Sequence, residues 1–590
     1  MYIKRIPTGD KKDSKVFIAM SVPGSKKRRT VERLGLFSEL AKAKGSEEAA
    51  EAFVEARRRE LEASEEFKRR GKASVEIDLD REVDLAGGEA TNSRNAGYLF
   101  LQKAYYDLGI EAFVNKWKFG SCPKLGYSLN DALRLLVFAR AEDPGSKLAA
   151  SRKTADYVED FDLTIDDLYD SLDRINEFSG RLTRALSAKC RRLLGDSGDA
   201  IYYDCTNFYF EIQGPDGEGG LRDYGVEKNH RPDPIVEYGL LLDAAGYPIG
   251  SACFRGNESE KTSLIPLLAD AGEEATRARI IVADAGLNTE ANKDAIHGSG
   301  RNYIFCQSPK ALSGDNAERV VDDEGGWTWY DGGKKKVKSL WITRSNGREE
   351  RMVVRWDKAS ADFVNATVDA RIERAKRFIK SPSRLSLRNC QDGKQYVEKI
   401  AVDPKTGEVL REKSVLKLRE DDIARDRRFA GYVVYVTDIP RQEDLDRDFV
   451  KAEGEGHRVV PEDDIGIVEI AGRRNDIESC FRTMKTDLDG RPLHVRTPKH
   501  IRAHLFTVYL ALTLVMYVQR KYAKGMTSDR LFRAIRRYTL CRLGGKEDVY
   551  RTGYYSRDVD ALAKAMGLTL NREFLAWADV KKQISLTKGR

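Results

Sequence analysis

AIYYDCTNFYFEI, residues 200–212, is where the chain changes character. Upstream, apolar residues recur at helical spacing. From here on, short runs of Ile, Val, Tyr and Phe alternate with turn residues, the signature of strands. Ala200–Asp204 reads as a short strand ending on an acid, and Phe208–Ile212 as its continuation after a break. Val236–Leu242 and Ile249–Phe254 are predicted strands joined through Gly246-Tyr247-Pro248. A helix over Thr262–Ala271 follows, with Leu264, Leu267 and Leu268 inward. Arg279–Ala283 is a strand running into Asp284, Thr289–Ile296 a short helix, and Tyr303–Cys306 a strand again. Strands first, then alternating helix and strand, predict a mixed α/β core.

Residues 311–428 read as a β-rich insertion into that core. Trp327–Tyr330, Leu340–Thr343, Met352–Trp356, Tyr396–Val402 and Val409–Leu418 look like strands, and Phe363–Lys380 like a helix. The segment carries four of the six tryptophans, Trp327, Trp329, Trp341 and Trp356, which fill a small core or offer faces for stacking an unpaired base. The core resumes at Gly431–Val436, followed by one helix over Gly466–Lys485.

Outward from the core, Val16–Val22 and Arg28–Leu34 predict a hairpin. Its tip, Lys26, Lys27, Arg28 and Arg29, is either solvated surface or a contact for DNA. A charged helix over 39–71 and a linker over 72–95 follow, then a largely helical region over 96–195. There Thr164 and Asp167 form a capping box ahead of Leu168, Leu172 and Ile175. The strongest apolar run, Leu505–Val518, is too short to span a bilayer comfortably and reads as a buried helix. Asp529–Leu540 is a further helix, capped by Thr527 or Ser528. The layout read from this pass is 1–95 hairpin, helix and linker; 96–195 all-α, a candidate for DNA binding; 196–310 and 429–490 the two parts of the core; 311–428 the insertion; and 491–590 a C-terminal helical region.

Composition narrows the class. With 590 residues, 41% hydrophobic and 33% charged, the chain is long enough for several cores and too apolar for disorder. Its formal net charge of +8 permits nucleic acid as a partner without requiring it. The eight cysteines have no CxxC or paired spacing, which argues against structural zinc or a disulfide framework and for a reducing cytoplasm. Met1–Ile6 lacks the apolar core of a signal peptide.

The chemistry concentrates in three acids. Asp204 and Asp284 each follow a strand, where carboxylates can converge at one sheet edge. GRRNDIESCFRTMK, residues 472–485, adds a helix on which Arg474, Glu478 and Lys485 return to nearly one face, while Ile477, Phe481, Met484 and Leu488 line an apolar face. Taken alone, that helix reads rather as a surface ladder Arg474–Glu478–Arg482. Taken together, three carboxylates suit hard divalent cations such as Mg²⁺. Two such ions about 3.5–4 Å apart support in-line phosphodiester chemistry. His500 and His504, four apart without a third ligand, read as packing residues.

At these residues the chain resembles the DDE transposases of bacterial insertion sequences, in particular a subgroup with a β-rich insertion and the signature Y-x2-R-x3-E-x6-K. Arg474, Glu478 and Lys485 fit that signature in register; its Tyr position is Ala471. Asp284 follows Asp204 by 80 residues and Glu478 follows Asp284 by 194, the longer gap holding the insertion. YGVEKNHRPD (224–233), FRGNESE (254–260) and RPLHV (491–495) agree with the same family. The resemblance implies an RNase H-like catalytic core and two Mg²⁺ or Mn²⁺ ions on Asp204, Asp284 and Glu478. It implies Arg474 and Lys485 on DNA phosphates, and element ends and target DNA as partners of at least a dimer. The expected place of action is the bacterial cytoplasm, at the nucleoid, with no membrane involved. A nuclease on the same fold without strand transfer, and a non-catalytic DNA-binding descendant, are the rival expectations.

Overall fold

Residues 200–209 form one unbroken strand. In the computed structural model Ala200–Tyr209 is β1, with nine of its ten residues buried. The break expected after Asp204 is absent, and Asp204 lies mid-strand. Cys205, Thr206 and Asn207 looked like a polar interruption, but a strand covered on both faces tolerates such residues when they are paired. The structure describes residues 1–9, 13–21, 28–63, 75–76, 80, 93–195, 198–212, 214–225, 232–272, 277–312, 314–321, 325–344, 346–380, 395–401, 414–447, 461–544 and 548–589.

The chain divides into two compact units. One holds Ser179–Thr486 with Gly490–Tyr509; the other holds Met1–Phe178, Asp487–Asp489 and Leu510–Arg590. Labels below number the elements of the first unit.

Its centre is a nine-stranded mixed sheet. The strands are β1, β2 (Ile235–Asp243), β3 (Pro248–Arg255), β4 (Ile280–Ala283), β5 (Asn302–Gln307), β6 (Thr328–Tyr330), β7 (Lys335–Thr343) and β8 (Glu349–Asp357). β9 (Val397–Ala401) and β10 (Ser414–Leu418) form a separate two-stranded sheet, and β11 (Tyr432–Thr437) returns to the large one. The order across it is β6-β7-β8-β11-β5-β4-β1-β2-β3. β1, β2 and β3 form an antiparallel meander, while β4 and β5 run parallel to β1. The first three strands of the expected insertion therefore continue the core sheet, because β8 pairs with β11 over Arg351–Trp356.

Strand alternation sorts the two faces. Ile201, Tyr203, Cys205, Ile281, Ala283, Phe305, Val434 and Val436 share one core with Leu264, Leu267 and Leu268 of α1 (Leu264–Asp270) and Ile296 of α2 (Glu290–Gly298). Alternation assigns Tyr202, Asp204, Thr206, Cys306 and Tyr435 to the opposite face. Within α3 (Lys358–Lys380), Val368 and Ala375 pack in a smaller cluster with Tyr396, Val397 and Ile423, the last from α4 (Glu420–Arg428).

The single helix expected over 466–485 is two, α5 (Asp464–Gly472) and α6 (Asn475–Arg482), followed by a π turn over Thr483–Asp487. Between them the backbone tightens into three-residue turns: Arg474 N donates to Ala471 O at 3.1 Å and Ile477 N to Arg474 O at 3.0 Å. Gly472, a poor helix former, precedes this break.

The second unit opens with an antiparallel sheet of Tyr2–Pro7, Ser14–Ser21 and Arg28–Leu36, one strand more than the predicted hairpin. Lys26 and Lys27 of the basic tip lie outside the described residues, and Arg28 and Arg29 begin the third strand. The charged helix expected over 39–71 is split into Phe37–Lys44 and Glu47–Ala63 at Gly45, whose φ of 89° ends the first turn set. Helices Tyr98–Asp107, Ile110–Ser121 and Leu129–Glu142 follow. The capping box forms as read: Thr164 N donates to Asp167 Oδ2 at 2.8 Å and Asp167 N to Thr164 Oγ1 at 3.2 Å. The C-terminal region is not purely helical. Thr539–Gly544, Val549–Thr552 and Phe574–Ala576 join Ser93–Asn95 in a four-stranded sheet. Pro498–Lys521 is the one described helix long and apolar enough to cross a membrane, and 89% of its apolar window is buried.

Candidate active site

Parallel register brings the first two acids level. Tyr203 of β1 sits opposite Ala283, the last residue of β4, so Asp204 and Asp284 are the next positions on neighbouring strands. Alternation points both away from the core that holds Tyr203 and Ala283. α5 and α6 lie on that outer face. The Tyr202 hydroxyl donates to Ile470 O at 2.8 Å, fixing α5 to β1. The Arg473 guanidinium donates to Ala244 O in the β2–β3 turn at 3.3 Å. Gly246 of that turn, with φ +75°, lies so close to α6 that a Cβ there would come within 2.8 Å of Asp476 Oδ2. Ile477, Cys480 and Phe481 of α6 are buried, as is Met484 in the π turn after it.

This docking brings Glu478 to the two aspartates. Arg474, at the start of α6, contacts all three acids: Nη1 is 3.4 Å from Asp284 Oδ2 and 3.9 Å from Asp204 Oδ2, and Nη2 is 3.2 Å from Glu478 Oε1. The expected ladder does not continue, since Arg482 donates to Ser479 Oγ at 3.4 Å. Asp204 is the deepest acid, its side chain 14% exposed against 44% for Asp284 and 59% for Glu478, so the cluster opens to solvent on the Glu478 side. Asp204 Oδ1 also accepts from Cys205 N at 2.8 Å.

Lys485 is brought to the same strand by another route. It lies in the π turn, and its ammonium donates to Thr206 Oγ1, two residues beyond Asp204 on the same face of β1. A π turn rotates the following side chains relative to an α-helix, so the face shared with Glu478 in the sequence reading is not what sets its aim. Thr206 was not among the predicted residues, although its period-two step from Asp204 marks it as a neighbour.

Cys306 on β5 is the other addition. Burial above all, with Asp284, Asp204 and Glu478 adding to it and Arg474 opposing, pushes its thiol up to about 11. Burial acts against the charge of Arg474, but Asp284, Cys306, Asp204 and Glu478 outweigh it and raise the guanidinium above its ordinary value. It is therefore a permanent cation among three acids.

As the side chains stand, no group of three or more acid, His or Cys residues among the described residues is placed to hold a metal ion. The donor chemistry nevertheless fits a hard cation: three carboxylates from β1, the end of β4 and α6 already surround one positive group. His504 is buried, as read, and His230 lies outside the described residues together with 226–231. The tryptophans do not simply fill a core. Trp327, Trp329 and Trp356 surround the Lys336 ammonium at 4.2, 5.5 and 5.7 Å from the ring centres, and Trp329 is 55% exposed.

Residues 239–514 match the family model described as a transposase DDE domain. That span carries a transposase DDE domain, which supports an insertion-sequence DDE transposase. No curated protein matches it in sequence. The matched span begins inside β2 and ends inside Pro498–Lys521. It takes in Asp284, Arg474, Glu478 and Lys485, and starts after Asp204, which strand register and the Arg474 contact tie to the others. The family supports a transposase function acting on DNA.

Proposed function

We propose that this transposase cuts DNA at the ends of its element and joins the freed 3′ ends to target DNA, with Asp204, Asp284 and Glu478 as its catalytic acids. The observation that carries this reading is the meeting of those three carboxylates, drawn from across the chain, around one cationic position. The strand order β11-β5-β4-β1-β2-β3, with a meander followed by parallel strands, supports an RNase H-like core over 196–310 and 429–490. The acids would hold divalent cations of the Mg²⁺ or Mn²⁺ class, two by family resemblance. When bound, such ions activate the attacking oxygen and stabilise the leaving one.

The chain's own residues orient the substrate. Arg474 and Lys485 offer a guanidinium fork and an ammonium at the mouth of the acid cluster, suited to the phosphates flanking the scissile bond. Thr206, two residues beyond Asp204 on β1, accepts from the Lys485 ammonium and holds it at that strand. Ala471, at the signature's Tyr position, is buried in α5, so phosphate grip falls more heavily on Arg474 and Lys485. Lys26, Lys27, Arg28 and Arg29, with the helices of 96–195, are the proposed contacts for end recognition. Joining two ends calls for at least a dimer on DNA, acting at the nucleoid.

The test is cleavage of labelled terminal-repeat duplex in Mg²⁺ or Mn²⁺ with supercoiled target present. Wild type should give cut and joined products. Asp204→Ala, Asp284→Ala and Glu478→Ala should each lose both while still shifting the duplex in a gel. Full cleavage by the Asp204 variant would refute the assignment, and cut product without joining would reduce the enzyme to a nuclease.

A further inference from the structure

We infer that Arg474 is the internal counter-ion of the acid cluster: in the DNA-free protein its guanidinium occupies the position that cations would take, and its transfer to a DNA phosphate opens the cluster to metal. The inference rests on the assignment of Asp204, Asp284 and Glu478 as metal ligands. One guanidinium within 3.2–3.9 Å of three carboxylates from three separate elements offsets their mutual repulsion, which is strong for like charges held close in a partly buried site. Arginine cannot shed its charge in a protein, so only movement of the side chain clears the position. Arg474 is placed for such movement. It sits at the tight turns between α5 and α6, at the N-terminus of α6, with its side chain 19% exposed. Its alternative partner is a phosphate, which a guanidinium binds through the same fork. Metal entry and DNA binding are thereby coupled through one side chain: a duplex phosphate competes for Arg474 and leaves the acids short of positive charge.

The test is Mn²⁺ binding to the full chain, followed by the paramagnetic signal of free Mn²⁺, with and without a short duplex. Without DNA, Arg474→Gln should bind Mn²⁺ about tenfold tighter than wild type, because a competing charge a few ångström away has gone. Arg474→Lys, which keeps the charge, should stay closer to wild type. With duplex, wild-type affinity should rise while that of Arg474→Gln changes little. Should Arg474→Gln be less stable, Mn²⁺ must raise its thermal midpoint more than it raises that of wild type. Equal Mn²⁺ affinity in wild type and Arg474→Gln, or an equal rise in midpoint, overturns the inference. Adding Asp204→Asn to Arg474→Gln should abolish the gain; a gain that survives it places the ion elsewhere and sinks the acid assignment as well. Tighter Mn²⁺ binding that depends on Asp204, in a protein that cuts no DNA, would instead leave the counter-ion role standing and remove only the transposition reading.

Discussion

Cys306 reports on the acid cluster from the next strand. Its thiol, pushed up to about 11 by burial and the neighbouring acids against the pull of Arg474, holds its proton through neutral pH. Since the thiolate is the reactive form, alkylation of Cys306 at pH 8 should be far slower than that of an ordinary thiol near 8.5, and should climb until the pH approaches 11. Arg474→Gln removes a cation that lowers this thiol, leaves the three acids that raise it, and should slow the reaction further. Peptide mapping after timed alkylation measures both; rapid labelling at pH 8 would contradict this electrostatic picture. At this scale much of the site was legible. Asp204, Asp284, Arg474 and Glu478 carried their chemistry in residue type and spacing, and they meet. Thr206 and Cys306 carried none: a threonine or cysteine inside an apolar strand reads as packing until the register shows which face it shares.

The elements are held in place by small local devices that a periodicity reading passes over. Gly246 is one. Its left-handed backbone closes the β2–β3 turn, and Asp476 of α6 lies where a Cβ on it would clash. Gly246→Ala should cost about 1–2 kcal/mol for the left-handed backbone alone, plus the displacement of Asp476. The denaturation midpoint should fall accordingly, and cleavage should fall more than stability explains, because the α6 start carries Arg474. An unchanged midpoint would show that the turn relaxes freely. Helical spacing placed Arg474 and Glu478 correctly, being only one turn apart. It failed for Lys485 because a π turn intervenes, and no side-chain pattern announces one. It also joined α5 to α6, since Ile467, Ala471, Ile477 and Phe481 keep an apolar face across the break. Asp204 was placed at a strand end for a related reason: polarity in Cys205-Thr206-Asn207 masked a strand buried on both sides.

At the scale of the whole molecule, the segment 311–428 behaves as two different things. Its first strands are structural members of the large sheet, with Met352, Val353 and Val354 fully buried between β7 and β11. Removing 325–357 would bare the β11 edge and uncover Val434 and Val436, and an exposed apolar edge invites association. That variant should be insoluble. Residues 358–430 form an excursion instead. They leave from the end of β8 and return to the start of β11, and these two strands are antiparallel neighbours with Trp356 opposite Tyr432 and Asp357 N donating to Gly431 O at 3.1 Å. The excursion also brings its own core of Val368, Ala375, Tyr396, Val397 and Ile423. Replacing 358–430 with Asn-Gly should therefore close β8 and β11 into a two-residue hairpin, since that dipeptide matches the twist of paired strands. Soluble yield, circular dichroism and size-exclusion elution compare the two deletions directly. If the hairpin variant aggregates as badly as the strand deletion, the excursion is part of the main fold after all; if it stays soluble and binds Mn²⁺ as the full chain does, the acid cluster stands without it.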